Sequence, residues 1–522
     1  MSPSLQQLEA ELAHFERLEL PLFGRRESAV LVPLVEVDGS VCLLLTRRSS
    51  SLPHHAGEVS FPGGAVEAGD ASSRDAALRE ACEEVGIAPG QCRFIGTLDD
   101  TPTVTGFRIT PHVAVCDSVP DAAPRDGEVE ALLLVPLDFF LDAGPGYEMG
   151  IEVGGSLHRS PVYVYRGSFI WGATARMIRD LCALVRGSFD DDGTDARLRR
   201  IARRVLAAAK VLLTTHINPD PDGLGCQVAL EEMLLSIGRE VAVVNHHPVP
   251  ERFKELAHRS ACHTQPEAVA AAAEGADLLL VVDTAEKNRI GSPARLLERF
   301  GGRVAVIDHH LSGDLGSNLS VMDSRFSSTC EIVQRLLQRI GYRMSRRCAD
   351  ALMTGILFDT HSFRFINNSP TPLRAAAHLL ETGADATAIQ DRLFARVPMG
   401  HARVLGHALA RARLEFDAAF MWGHITKDEL QGLGASNEDA GDVSAFFATL
   451  EGVQIGLFMR EINPGQYKLS FRSRREYPIG DICQKHGGGG HANAGGATMT
   501  GTPEQILSAI RNDVAAVLAR GR

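Results

Sequence analysis

Short apolar strands alternate with helical stretches from residue 211 to residue 307, and this alternation limits the possible folds more than any other feature. Each strand is too short to be a helix, whereas the intervening segment 224–237 has a helical pattern. Such alternation is typical of a parallel sheet with helices on both faces. The predicted strands are 211–215, 241–245, 278–282 and 304–307.

The chain length of 522 residues favours about three domains. The polar, acidic segment 188–196 is predicted to be a linker. Before it, strands and turns dominate, with a hairpin around Asp38-Gly39 and helices at 73–85 and 173–185. From about Met399, strand pairs and glycine-rich turns predict a smaller α+β domain. We therefore expect a multidomain α/β protein with domains at 1–187, 197–385 and 386–522.

The composition excludes several classes of protein. No apolar run approaches the ~20 residues of a membrane span, and the N-terminus lacks the pattern of a signal peptide. The ten cysteines form no CxxC pair, so we expect reduced thiols and no structural zinc site. A net charge of -12 disfavours binding of long nucleic acid. We expect a cytoplasmic protein that does not bind membranes, and the sequence is compatible with a homodimer.

An acidic helix follows a glycine-containing loop in the first domain. Three carboxylates lie at positions i, i+3 and i+4 of one helix face, namely Glu80, Glu83 and Glu84. Carboxylates this close repel one another unless a cation lies between them, and Mg²⁺ or Mn²⁺ suits such oxygen ligands. A solvated acidic face is the alternative interpretation. Gly63, Gly64 and Asp70 in front of the helix favour the metal site.

This segment resembles the sequence signature of the Nudix hydrolases. Asp70 in place of the usual Glu, and the eight residues between it and Arg79, resemble the coenzyme A pyrophosphohydrolase branch of that family. The upstream signature of the branch is matched by Leu44-Leu-Thr-Arg-Arg-Ser49, Gly57 and Phe61-Pro-Gly-Gly64, although Pro53 stands where Arg is usual. The resemblance covers residues 20–186.

The Nudix resemblance implies an α/β/α sandwich with a mixed sheet. It implies that Glu80, Glu83 and Glu84 bind Mg²⁺ or Mn²⁺ and that Glu83 and Glu84 take part in activating water. It further implies that Arg79 holds the helix and loop together through a carboxylate. The implied substrate contacts are Gly63 and Gly64.

Acids and histidines follow the predicted strands of the second domain. His216, Asp220 and Asp222 follow the first strand, Asp283 the third and Asp308-His309-His310 the fourth, and Asp359 lies further on. The carboxyl ends of parallel strands form a common crevice. A single aspartate after a strand usually caps a turn, but four segments with such groups predict one site. Imidazoles mixed with carboxylates suit Mn²⁺, and this many acids predict two ions acting in phosphoryl transfer.

The same segments resemble the motifs of the DHH phosphoesterases. The resemblance implies a first metal held by His216, Asp220 and Asp283. It implies a second held by Asp222, Asp283, His309 and Asp359. His310 would contact the scissile phosphate, and Asp308 would support the paired histidines.

A glycine run near the C-terminus, residues 487–490, can be interpreted as a flexible linker or as a phosphate cradle. Together with Phe471-Arg-Ser-Arg474 it resembles the C-terminal domain associated with DHH proteins, and the DHH resemblance covers residues 200–515. The implied contacts with the substrate are Arg472, Gly488, Gly489, Gly490 and His491.

The combined resemblance implies two hydrolytic activities. The first acts on coenzyme A or a related nucleotide, and the second acts on 3′,5′-adenosine bisphosphate or on short oligoribonucleotides. Because splitting the diphosphate of coenzyme A releases that bisphosphate, we hypothesise that the two reactions follow one another. The alternatives are a cyclic dinucleotide phosphodiesterase, a RecJ-like exonuclease, a polyphosphatase, a nucleotide sensor, or two domains with unrelated substrates.

Overall fold

The computed structural model describes residues 4–51, 56–118, 128–144, 147–153, 156–186, 193–310, 313–316, 319–366, 368–395 and 397–521. These fall into two compact units, Met1–Gln390 and Asp391–Arg522. None of the described helices is long and apolar enough to cross a membrane. Pro53 lies outside the described residues, as does the part of the predicted linker before residue 193.

The N-terminal part of the first unit is built on a mixed sheet with the order β3-β2-β1-β7-β5. Strands β4 and β8 extend it by pairing with β1 and β2, and β6 pairs with β7. Strands β1 and β7 are parallel, and the predicted hairpin is confirmed as the antiparallel pair β1 and β2. The strands are β1 (Arg26–Val37), β2 (Ser40–Arg48), β3 (Val59–Ser60), β4 (Gly63–Ala65), β5 (Cys92–Thr97), β6 (Thr101–Pro102), β7 (Phe107–Cys116) and β8 (Val129–Pro136), followed by β9 (Tyr147–Val153), β10 (Ser156–Tyr165) and β11 (Ser168–Ile170).

Helices cover both faces of this sheet because its central strands are apolar on both sides. Ala77 and Ala81 of one helix pack against Leu31 on one face, and Ile178 of another lies in the core of the opposite face. The expected α/β/α arrangement and both predicted helices are confirmed. The helices are α1 (Leu5–His14), α2 (Ser73–Val85), α3 (Leu137–Asp142) and α4 (Gly172–Val185).

Cys92 and Cys116 lie directly opposite one another in β5 and β7 and form a disulfide, with their Cα atoms 4.4 Å apart. The expectation of reduced thiols is therefore wrong for this pair. The spacing of 24 residues along the chain does not reveal the pairing, which depends on the register of two antiparallel strands.

The rest of the first unit is built on a parallel sheet with the order β14-β13-β12-β15-β16-β17. Every strand pair in it is parallel, as predicted. The strands are β12 (Lys210–Thr214), β13 (Glu240–Val244), β14 (Cys262–His263), β15 (Leu278–Val282), β16 (Val304–Asp308) and β17 (Ser320–Met322). The helices are α5 (Thr194–Ala207), α6 (Pro221–Ser236), α7 (Pro266–Ala272), α8 (Lys287–Ile290), α9 (Leu296–Phe300), α10 (Thr329–Ile340), α11 (Arg346–Asp359), α12 (Thr371–Glu381) and α13 (Ala386–Gln390).

Helix α5 begins inside the segment predicted as a linker and joins the two parts of the first unit. Its Arg199 donates to both carboxylate oxygens of Asp99, at 2.6 and 2.7 Å, and lies over the ring of Phe15. Both charged side chains are almost fully buried. The carboxylate also accepts the amide of Leu18, so this contact ties α5 to the N-terminal sheet.

Replacing Arg199 with alanine is expected to destabilise the protein by about 3 kcal/mol, because it leaves the buried Asp99 carboxylate without its bidentate partner. Arg203 on the same helix forms an exposed ion pair with Glu16, so Arg203→Ala is the matched control, with an expected loss below about 1 kcal/mol. Thermal unfolding of the three proteins measures the difference. An equal decrease in melting temperature for both variants would contradict the structural role given to Arg199.

The second unit has the predicted α+β architecture. Its sheet has the order β18-β19-β20-β21-β23-β22, with β19 and β20 parallel and the other neighbours antiparallel. Trp422, Leu469 and Ile510 contribute to its core. The strands are β18 (Arg413–Glu415), β19 (Phe420–Ile425), β20 (Ile455–Asn463), β21 (Gln466–Ser473), β22 (Gly489–His491) and β23 (Ala494–Thr500), and the helices are α14 (Met399–Arg411), α15 (Lys427–Gly432), α16 (Val443–Phe447), α17 (Gly480–Lys485) and α18 (Pro503–Arg520).

Candidate metal and substrate sites

The predicted acids and histidines of the parallel sheet meet at the carboxyl ends of β12, β15 and β16. These three strands are neighbours, so the segments that follow them lie side by side. Asp359 reaches the same place from the last residue of helix α11 rather than from a strand. The structure thus brings together residues that are up to 143 positions apart, from His216 to Asp359.

The first predicted metal group contains His216, Asp220 and Asp283. Nε2 of His216 lies 3.5 Å from Oδ2 of Asp220 and 3.3 Å from Oδ2 of Asp283. Nδ1 of the same ring lies 2.6 Å from its neighbour's carbonyl oxygen, which directs Nε2 toward the two acids. Burial alone would lower the pKa of His216, but the hydrogen bonds with both acids outweigh it and raise that pKa to about 11.

The second predicted group gathers around His309. Its Nε2 atom lies 3.2 Å from Asp359, 3.8 Å from Asp283 and 4.0 Å from Asp222, measured to the nearest carboxylate oxygen. Burial raises the pKa of Asp359 to about 6, although His309 acts against the rise. Burial and the neighbouring carboxylates also raise the pKa of Asp222 well above its usual range.

The donor set fits two divalent cations. The ligand atoms of His216, Asp220 and Asp283 lie within 4.8 Å of one another, as do those of Asp222, His309 and Asp359. Burial raises the pKa of Asp222 and of Asp359, so their ionised forms would be stabilised by additional positive charge. Cations between these oxygens and the imidazole nitrogens would supply this positive charge. Asp283 contacts a histidine of each predicted group and could therefore bind both cations.

The start of helix α10 supports this crevice, although none of the predicted site residues lies there. The amides of Thr329 and Cys330 donate to the two oxygens of Asp222, at 2.6 and 2.9 Å. The hydroxyl of Thr329 donates to Oδ1 of Asp283 at 3.1 Å. Ser328 and Glu331 form a capping box at this helix start, which is a signal that the sequence alone contained.

Asp308 holds the predicted phosphate contact His310. Nδ1 of His310 lies 2.7 Å from Oδ1 of Asp308, and the backbone amide of His310 points to the same oxygen at 3.2 Å. Asp308 is fully buried. A carboxylate in this position orients the imidazole ring.

In the first domain, Arg79 lies among the predicted acids of helix α2. Its guanidinium donates to both oxygens of Asp70 at 3.1 Å and to the carbonyl of Ala65 at 3.2 Å, which ties the helix to the preceding loop. It also contacts Glu80 at 2.9 Å and Glu83 at 3.3 Å. The structure therefore places this cation beside two of the three predicted metal ligands.

The loop glycines approach the acidic helix closely. The amide of Gly63 donates to Oε2 of Glu84 at 3.2 Å. A Cβ atom on Gly64 would lie 2.3 Å from Oε1 of Glu80, so a larger residue there would push this carboxylate aside. Burial raises the pKa of Glu80. Arg48, which the site prediction did not include, lies 3.8 Å from the buried Glu84 and adds a cation to this site.

The glycine run of the second unit is part of a sheet, so the linker interpretation is wrong. A Cβ on Gly488 or Gly490 would collide with the backbone of strand β23, whereas one on Gly489 would meet open space. Arg472 and His491 both pair with Ala494, from opposite sides, and therefore occupy one row of the sheet. Close strand packing thus accounts for two of the glycines that were predicted to bind substrate.

Three family profiles match successive parts of the chain. The NUDIX domain matches residues 25–147, the N-terminal domain of the DHH family matches 210–356, and the DHHA1 domain matches 424–519.

Similar proteins divide along the same lines. The bifunctional oligoribonuclease and PAP phosphatase NrnA of Thermus thermophilus is 31% identical over 323 residues, 60% of this chain and 94% of that protein. The uncharacterized Nudix hydrolase NudL of Citrobacter koseri is 40% identical over 185 residues, 35% of this chain and 96% of that protein. An exopolyphosphatase-related protein from Bacteroides fragilis shares the fold, with a TM-score of 0.59 and 24% identity over 62% of this chain and 96% of its own.

Proposed function

Since this chain belongs to the Nudix hydrolases through its N-terminal part and to the DHH phosphoesterases through the rest, we propose that it degrades coenzyme A in two successive reactions. Hydrolase activity on pyrophosphate and phosphoester bonds follows from membership of the two families. The substrate and the order of reactions are the proposal. The observation that carries it is that one compact unit, Met1–Gln390, contains the residues predicted to bind metal in both domains.

The first reaction consumes water and splits the diphosphate of coenzyme A into 4′-phosphopantetheine and 3′,5′-adenosine bisphosphate. Mg²⁺ or Mn²⁺ held by Glu80, Glu83 and Glu84 would neutralise the diphosphate and make water more acidic. Gly63 fixes Glu84 through its amide. Arg48, close to Glu84, supplies a positive charge for a diphosphate oxygen.

The second reaction consumes water and converts the bisphosphate into AMP and inorganic phosphate. Two Mn²⁺ ions held by the cluster would activate water and neutralise the phosphoester oxygens. His310, oriented by Asp308, donates a hydrogen bond to a phosphate oxygen. Support for this substrate comes from the relative named as a PAP phosphatase. Arg472 and His491 are proposed to bind the nucleotide.

The test is a time course with the purified full chain, coenzyme A and Mn²⁺, followed by chromatography. We expect 3′,5′-adenosine bisphosphate to rise first and AMP to follow, with 4′-phosphopantetheine formed in step with coenzyme A loss. With EDTA in place of the metal, none of these products should form. Coenzyme A that remains intact while other nucleoside diphosphate derivatives are cleaved would refute the first substrate.

One other function has specific support. The relative's name also includes an oligoribonuclease, so short RNA is a second candidate substrate for the DHH site. If short RNA displaces the bisphosphate while coenzyme A turnover is unaffected, the two domains act on unrelated substrates. A cyclic dinucleotide as the DHH substrate would be recognised by its cleavage under the same conditions. A sensor would bind its nucleotide at one site without turnover.

A further inference from the structure

Two histidines outside the mechanism lie beside the loop that carries the first metal ligands. His246 and His247 follow strand β13, which is the parallel neighbour of β12. The pair therefore lies next to residues 216–220, which follow β12. Both side chains are half-buried, and their ring centres are 4.4 Å apart.

Backbone amides hold one nitrogen of each ring. Ser292 donates its N–H to Nδ1 of His246, and Asn218 donates its N–H to Nδ1 of His247, both at 3.1 Å. A ring nitrogen that accepts a hydrogen bond carries no proton, so each neutral ring has its proton on Nε2. Neither Nε2 atom has a hydrogen-bond partner among the described residues, so each of these two neighbouring rings keeps an N–H donor for a ligand.

The surrounding loops fix this pair against the metal-binding segment. Gly291 has a φ of +74°, and a Cβ there would lie 2.6 Å from Cγ of His246 and 2.7 Å from Ile217. The amide of Ile217 donates to the carbonyl of Arg289 at 2.6 Å. Asn218 itself has a left-handed backbone, with φ of 55°, which asparagine tolerates. The histidines and the loop of metal ligands thus form one packed arrangement.

We propose that His246 and His247 form a phosphate-binding subsite next to the DHH metal cluster. Nitrogens that carry protons cannot coordinate a metal ion, whereas two adjacent N–H donors match the oxygens of a phosphate. Arg289 in helix α8, whose carbonyl accepts the amide of Ile217, adds positive charge. The inference rests on the proposed function, in which the 3′-phosphate is hydrolysed. The subsite takes the 5′-phosphate of the bisphosphate or the inorganic phosphate released.

Two double variants of the full chain separate the donor role from the structural role. In His246→Asn with His247→Asn, the amide oxygen can still accept the backbone N–H groups, but the outer donors are lost. In His246→Gln with His247→Gln, the side-chain NH₂ can take the place of Nε2–H. KM and kcat are measured for 3′,5′-adenosine bisphosphate and for 3′-AMP, which lacks the 5′-phosphate. Inhibition of 3′-AMP hydrolysis by inorganic phosphate is measured as well.

We expect the asparagine variant to raise KM for the bisphosphate about 10- to 100-fold with little change in kcat, because hydrogen bonds to a charged group are lost. KM for 3′-AMP should stay within about twofold, and the glutamine variant should recover part of the loss. An unchanged bisphosphate KM with weaker inhibition by inorganic phosphate would support the site and assign it to the released phosphate.

Equal losses on both substrates would overturn the proposal, since they would mean that the histidines only support the metal loop. Unchanged KM and unchanged phosphate inhibition would overturn it as well. A wild-type protein that hydrolyses 3′-AMP but not the bisphosphate would refute the proposed function instead. In that case the inhibition of 3′-AMP hydrolysis by inorganic phosphate is the measurement that tests the subsite.

Discussion

Replacing Asp283 with alanine is expected to stop the second reaction and spare the first, so that 3′,5′-adenosine bisphosphate accumulates from coenzyme A at the expense of AMP. Asp283 contacts a histidine of each predicted metal group, at 3.3 Å from His216 and 3.8 Å from His309. Its loss should weaken both cation positions at once. A loss of about 4 kcal/mol of transition-state stabilisation corresponds to a rate reduced about 1,000-fold.

Two further variants distinguish the loss of metal ligands from misfolding of the protein. Asp283 has a left-handed backbone, with φ of 62°, which alanine adopts less readily than asparagine. Asp283→Asn should therefore show the same loss of activity in a protein of nearly normal stability. Asp277 precedes the same strand at its opposite end, where it accepts two backbone amides, so Asp277→Asn is the matched control and should remain active. Production of AMP by Asp283→Asn at the wild-type rate would contradict the two-metal assignment.

Replacing Glu84 with glutamine is expected to slow the cleavage of coenzyme A about 1,000-fold and to leave hydrolysis of added bisphosphate unchanged. Glu84 is buried, accepts the amide of Gly63 and lies near Arg48. Glutamine preserves the shape and the accepting oxygen but removes the negative charge that a cation requires. Chromatography of reactions started with either substrate measures both steps.

Glu36 offers the matched control for this second variant. It is an exposed residue near the end of strand β1 and is none of the predicted metal ligands, so Glu36→Gln should cleave coenzyme A normally. If Glu84→Gln also loses hydrolysis of the bisphosphate, the two sites are coupled through the fold rather than only through a shared intermediate. Full coenzyme A cleavage by Glu84→Gln would show that another group performs the first reaction.

Much of the fold was predictable because the strands are short and apolar and the helix signals are local. The predicted helix 73–85 forms with those bounds, capped by Ser72 at its start and by Gly86 at its end. The predicted strand 278–282 also forms with the predicted bounds, since five consecutive buried aliphatic residues are typical of a strand in a parallel sheet. Local side-chain chemistry was sufficient at these positions.

Contacts between segments that are distant in the chain could not be predicted from the sequence. Nothing near Asp222 in the chain indicates that Thr329 and Cys330 donate to its carboxylate. The disulfide between Cys92 and Cys116 depends on strand register, and the burial of Arg199 depends on how α5 meets the N-terminal sheet. Two glycines predicted to hold substrate, Gly488 and Gly490, are needed for strand packing.

The sequence by itself determined the two classes of hydrolase, the alternation of strands and helices, and which acids and histidines follow each strand. Those properties depend on neighbouring residues and on the repeat of the backbone. Only the tertiary structure decided that Asp283 contacts a histidine of each predicted metal group, that Arg79 lies beside Glu80 and Glu83, and that His247 accepts the amide of Asn218. These depend on distances and hydrogen-bond directions between segments far apart in the chain, which become defined only when the sheets are assembled.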